Sequence, residues 1–179
     1  MPFTPSTDEL KLIEACIAND RLAQKALYDK YKNAMYTLAY RMTGNFQDAN
    51  EVLQDAFLRV FRALPKFRKE STLGAWIKVI VVRAALTKVK KKFQFESLEE
   101  TTLHTHVEWE HPIDIDYLEK AIQSLPEGYR TVFLLIEVEG YKHREVAEML
   151  NISEGTSKSQ LFHAKKHLQK MLEKTGKYT

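Results

Sequence analysis

Lys158, Ser159, Phe162, His163, Lys165 and Lys166 follow a tight Asn151-Ile152 turn and recur at one-, three- and four-residue spacing. On a helix that spacing gathers ammonium, hydroxyl, imidazole and aromatic groups along one exposed side. Such a side can hydrogen-bond base edges with its N-terminal half and attract phosphates with its lysines. Glu154 and Thr156, in the first turn of the same helix, belong to this candidate set. Catalysis has no comparable constellation. The chain has no glycine loop that could cradle a phosphate, and no nucleophile with a base at useful spacing, so no enzymatic role and no cofactor are expected. His104, His106 and His111 stand near Glu108 and Glu110, a composition that could ligate Zn²⁺. No helical or cysteine spacing fixes them, and no metal site is assigned there.

The element before the candidate helix explains how it would be presented. In YKHREVAEMLNISEGTSKSQLFHAKKHL a short helix carries Val146, Ala147 and Leu150 inward. Small Ala147 permits close approach, Ile152 fills the space below the turn, and Ser153 caps the second helix. This is the pattern of a helix-turn-helix, with an acidic first helix and a basic second one. Upstream, Ser6 to Glu9 has capping-box spacing. Residues from Asp20 to Gly44 keep Leu27, Tyr31, Met35 and Leu38 in a helical period. Asn45 offers a cap for a helix ending at Pro65, with Val52, Leu53, Ala56, Phe57, Val60 and Leu64 on its apolar stripe. Ser71 offers the next cap, for a helix with Trp76, Ile77, Ile80 and Ala84 on one face. Helical stretches beginning at residues 113, 126, 141 and 153 complete an all-α reading.

Residues 93–113 lose the helical period and become acidic, the composition of a flexible linker. The expected organisation is therefore two small helical domains, 1–92 and 114–179, joined by that linker, the second containing the helix-turn-helix. A net charge of +3 says little alone, but its distribution says more. Residues 65–92 hold nine Lys or Arg and one acid, and residues 155–179 hold six and one. Between them, residues 93–113 carry five acids and no Lys or Arg. The one cysteine, Cys16, fits a reducing compartment. No apolar run approaches the roughly 18 residues of a membrane span. A cytoplasmic protein without direct membrane insertion is expected.

Two blocks are similar to one known family. LPEGYRTVFLLIEVEGYKHREVAEMLNISEGTSKSQLFHAKKHL resembles domain 4 of the extracytoplasmic-function sigma factors, of the sigma-70 family of bacterial RNA polymerase subunits. LYDKYKNAMYTLAYRMTGNFQDANEVLQDAFLRVFRALPKFRKESTLGAWIKVIVV resembles their domain 2. The resemblance implies that Lys158, Ser159, Phe162 and His163 meet the minus 35 promoter element, His163 standing where the family commonly has Arg. It implies that Asp48, Glu51, Gln54, Asp55 and Arg59 face core RNA polymerase, with DANEV in place of the commoner DAEDL. It further implies that Phe67, Arg68, Lys69, Ser71, Thr72, Lys78 and Arg83 serve the minus 10 element and its melting, Arg83 replacing a common Asn. Lys88, Lys90, Lys91 and Lys92 would add general attraction for DNA, and Trp76 would pack in the core. Core RNA polymerase, promoter DNA and an anti-sigma factor are the implied partners. Two other readings are compatible with the residues alone. One is a helix-turn-helix regulator with an N-terminal dimerisation or sensing domain; the other is a protein-interaction module that reads no DNA.

Overall fold

A computed structural model describes residues 6–93 and 115–173. Its chain divides into two units, Met1–Lys88 and Val89–Thr179. The first holds α1 (Thr7–Ile17), α2 (Arg21–Thr43), α3 (Phe46–Ala63), a 3-10 turn (Leu64–Lys66) and most of α4 (Leu73–Phe93). The second holds α5 (Ile115–Ser124), α6 (Glu127–Phe133), a π-helical turn (Leu134–Val138), α7 (His143–Leu150) and α8 (Glu154–Glu173). Helices are the only regular elements among the described residues, as the sequence predicts. None of them is long and apolar enough to cross a membrane.

Local chemistry sets most of the helix ends in the first unit. The Glu9 amide donates to Ser6 Oγ at 3.2 Å, while the Glu9 carboxylate accepts from Tyr31 Oη at 3.3 Å. Asp20 accepts from the Leu22 and Ala23 amides and starts α2, and Gly44, at φ 77°, ends it. Asn45 Oδ1 accepts from the Asp48 amide at 2.8 Å and opens α3. The cap of α4 is Thr72, one residue beyond the predicted Ser71: its Oγ1 accepts from the Ala75 amide at 3.1 Å. Ser71 instead donates to the Thr72 carbonyl.

Packing follows the apolar rows. Leu27, Met35 and Leu38 of α2 are buried, as are Val52, Leu53, Ala56, Phe57 and Val60 of α3, with Leu64 beyond. On α4 the buried row is Leu73, Ile77, Val81, Ala84 and Ala85, whereas Trp76 and Ile80 are only half-buried. Gly74 lets α4 start close to α2, since a Cβ there would meet Tyr31 Cε1 at 3.0 Å.

In the second unit, α8 buries Leu161, Ala164, Leu168 and Leu172. The predicted single helix from Pro126 to Gly140 changes pitch part-way. After Phe133 the Glu139 amide reaches back five residues to the Leu134 carbonyl, at 2.9 Å, and Gly140, at φ 76°, turns the chain into α7. Arg130 is a structural residue that local sequence pattern does not reveal. It is 7% exposed, and its Nη1 donates to the Gln123 and Leu125 carbonyls at 3.0 and 3.2 Å. Those carbonyls lie at the C-terminal end of α5, where helix geometry supplies no intrahelical donor. Arg130→Met keeps the apolar stem but removes both bonds, and should cost about 2 kcal/mol of stability in this unit. Urea unfolding followed by circular dichroism checks this; an unchanged midpoint refutes it.

Candidate nucleic-acid interface

The helix-turn-helix is built as the sequence indicates. Asn151 adopts the left-handed conformation, φ 57° and ψ 48°, which its short polar side chain tolerates. The Ile152 amide closes the turn on the Ala147 carbonyl at 3.1 Å, and Ala147 itself is buried. Ser153 Oγ accepts from the Thr156 amide at 2.9 Å and caps α8. Lys142, at the cap of α7, has no acceptor to offer that helix. Glu145 supplies half of the missing cap by accepting from the Lys142 amide at 2.7 Å.

On α8, Glu154, Lys158, half-buried Phe162 and Lys166 form a stripe at four-residue spacing. Glu154 and Lys158 pair at 2.8 Å, and the Lys158 ammonium holds the Glu154 carboxyl below its ordinary range. Lys166 lies over the Phe162 ring, 6.0 Å from its centroid. Ser159 is half-buried beside this stripe.

Three members of the predicted set are placed differently. Thr156 is half-buried in the cap, its hydroxyl 2.8 Å from Ser153 Oγ. His163 is half-buried and stacks on Tyr129 of α6, ring centroids 5.6 Å apart. Lys165 is turned to Glu137 of the π turn at 2.8 Å, with 21% of its side chain exposed. The apolar row of α8 faces α6, and residues 163 and 165 flank that row, so their side chains lie along its border.

In the first unit, the segment between the 3-10 turn and α4 presents Arg68, Lys69 and Thr72 to solvent, with Ser71 half-buried. Lys69 takes φ 61°, a left-handed backbone that costs a lysine about 1 kcal/mol and bends the loop sharply. Phe67, which the resemblance assigns to the minus 10 set, is not open to solvent. It is 8% exposed and packs on Trp76, ring centroids 5.1 Å apart, so the pair anchors the loop to α4. On α4, Lys78 is half-buried and Arg83 exposed. Lys88, read from sequence as a DNA attractor, instead pairs with Glu51 and lies 3.5 Å from Asp48.

The outer face of α3 therefore separates into two parts. Asp48 and Glu51 are tied to Lys88 of α4, and Asp48 also accepts from Asn45 Nδ2 at 2.7 Å. Gln54, Asp55 and Arg59 remain exposed, the last two paired at 2.6 Å. Among them stands Leu58, 57% exposed, which sequence reading passed over. Its signal is a large apolar residue lying off the buried stripe, next to Phe57 but on the polar side. The histidines considered for Zn²⁺ lie outside the described residues, and no group of three metal-ligating side chains occurs among the described ones.

Known proteins match both units. Residues 27–93 match the family model for sigma-70 region 2, and residues 115–168 match that for sigma-70, region 4. The chain is 26% identical to the ECF RNA polymerase sigma factor SigW of Bacillus subtilis, over 90% of this chain and 95% of that protein. It is 28% identical to the RNA polymerase sigma-H factor of Pseudomonas aeruginosa, over 91% and 93% respectively. Among solved structures, the sigma factor RpoE of Bartonella quintana, in complex with the anti-sigma factor NepR, shares the fold. It has a TM-score of 0.53 and 20% identity, covering 83% of this chain and 96% of that one.

Proposed function

From the premise that this chain belongs to the sigma-70 family, as a sigma factor of the extracytoplasmic-function group, we propose that it binds core RNA polymerase and directs it to promoters. In this reading the two units divide the work. The exposed part of α3, with Gln54, Asp55 and Arg59 around Leu58, docks on core polymerase. Lys158, Ser159 and Phe162 of α8 meet the minus 35 element in the major groove, and Lys166 holds a flanking phosphate. Arg68, Lys69, Ser71, Thr72 and Arg83 guide the minus 10 strand as it opens, through a positive backbone track. Melting draws on that capture, since bases that leave the stack need partners. The chemistry of RNA synthesis stays with the polymerase.

The observation that carries the reading is the occurrence, in order on one chain, of region 2 and region 4 matches with exposed Lys158 and Lys166 flanking half-buried Phe162 on the second helix of the helix-turn-helix. An anti-sigma factor is the expected antagonist, covering the polymerase-docking surface.

Reconstituted transcription tests this directly. Purified chain added to core polymerase should yield specific transcripts whose mapped starts share two upstream elements. If the chain fails to bind core polymerase and instead binds duplex DNA as a homodimer, it is a helix-turn-helix regulator and the proposal fails.

A further inference from the structure

The N-terminal half of α8, which carries the DNA-facing side chains, is held in place differently from its C-terminal half. Leu161, Ala164, Leu168 and Leu172 form an apolar row in the later turns. In the earlier turns the inward positions are polar: Ser157 is fully buried and Gln160 is 3% exposed. Apolar packing is non-directional and tolerates small rotations of a helix about its axis. A hydrogen bond has a preferred distance and direction and does not. Such a bond occurs at this point: His143 Nδ1, on the first residue of α7, lies 2.9 Å from Ser157 Oγ.

Rotation matters because neighbouring residues on a helix point about 100° apart. A turn of even a small part of that angle would move Lys158 and Phe162 off the base edges they address. We propose that the His143–Ser157 hydrogen bond locks the rotation of the recognition helix against α7, which makes His143 a positioning residue for promoter discrimination. This rests on the reading of α8 as the minus 35 reader.

The surroundings suit a neutral lock. Lys158, Glu154 and Lys165 face His143 from α8, and Glu137 faces it from the π turn. These four form two ion pairs, Glu154–Lys158 and Glu137–Lys165, so their charges balance around the imidazole. Burial first, and Lys158 second, hold His143 below the ordinary imidazole range. A depressed histidine contributes stability that is full above the unfolded value of about 6.5 and is lost as pH falls through it towards the folded value. The thermal midpoint should therefore fall on acidification over that window, and less so in His143→Asn, whose amide reproduces the Nδ1 position without titrating there.

The decisive measurement is discrimination, not affinity. Holoenzyme assembled from the full chain and core polymerase is titrated with two duplexes, one carrying the selected upstream element and one with that element scrambled. His143→Leu and Ser157→Ala should each lower the affinity ratio about fivefold, the loss of one part-buried hydrogen bond. The double variant should be no worse than either single one, because both remove the same contact. His143→Asn should restore most of the ratio. Equal weakening on both duplexes, additive losses in the double variant, or an unchanged ratio would overturn the lock. Wild-type holoenzyme that fails to distinguish the duplexes overturns the minus 35 reading itself, a result visible before any variant is made.

Discussion

Lys158→Glu should lower transcription from promoters that depend on the upstream element about a hundredfold, while binding to core polymerase stays intact. Lys158 is exposed at the second turn of α8, and its present partner is Glu154, 2.8 Å away. That pair is surface-exposed, so DNA can take over the ammonium at little cost. Charge reversal removes a base or phosphate contact, worth roughly 1–3 kcal/mol where it reads a base. It also leaves two carboxylates one helical turn apart, facing a polyanion. Together these effects amount to about 3 kcal/mol, which is about a hundredfold. Run-off transcription gives the loss, and affinity measured across a salt series should show a slope shallower by about 1 if the lysine meets a phosphate. Unchanged output and an unchanged slope would remove α8 from the interface. Glu154→Gln is the opposing control, since it releases Lys158 and should strengthen non-specific binding about twofold.

The parts of the fold that were legible in the sequence are those set by local chemistry. Asn45, Ser153 and Gly44 announce helix ends because a cap or a left-handed residue acts on backbone within a few positions. Adjacent hydroxyls defeat the same reasoning: Ser71 and Thr72 both qualify as caps, and the path of the loop decides for Thr72. The π turn was illegible for a different reason. Val132 to Ile136 is apolar throughout, so a change of pitch leaves no trace in the hydrophobic pattern. Likewise α4 is apolar on several sides, and choosing Leu73 and Val81 rather than Trp76 and Ile80 as its inner row requires knowing what it packs against.

At the candidate sites, sequence spacing located the right helices but not which charges were already engaged. Lys88 meets Glu51 and Asp48 across a separation of 37 and 40 residues, and Lys165 of α8 meets Glu137 in the π turn between α6 and α7. Such pairs depend on tertiary placement, so a count of basic residues overstates the charge offered to DNA. Phe67 shows the same limit for aromatics. An aromatic in a basic loop suits base stacking by type, yet Phe67 is buried and packed against Trp76. Arg130 is the converse case, a cation in the second unit that serves the end of a helix.

Leu58→Asp should weaken binding to core polymerase about a hundredfold and leave the chain folded. With 57% of its surface exposed, Leu58 makes little of its own domain's core, so substitution there should shift stability by no more than about 0.5 kcal/mol. Interfaces draw most of their energy from a few central side chains that lose water on docking, ringed by polar groups that contribute little alone. Gln54, Asp55 and Arg59 supply that ring, with Asp55 and Arg59 paired at 2.6 Å. A buried, unpaired carboxylate at the centre would cost several kcal/mol, enough for the expected loss. Leu58→Ala, which removes apolar contact without adding charge, should lose about tenfold. Phe46 provides the contrast: it is 66% exposed at the start of α3 and stacks on Tyr40. If Phe46→Ala weakens core binding as much as Leu58→Ala does, the dock is not centred on Leu58. If Leu58→Asp still binds core polymerase normally by gel filtration or fluorescence anisotropy, the outer face of α3 is a solvated surface, and the contact must be sought on another helix.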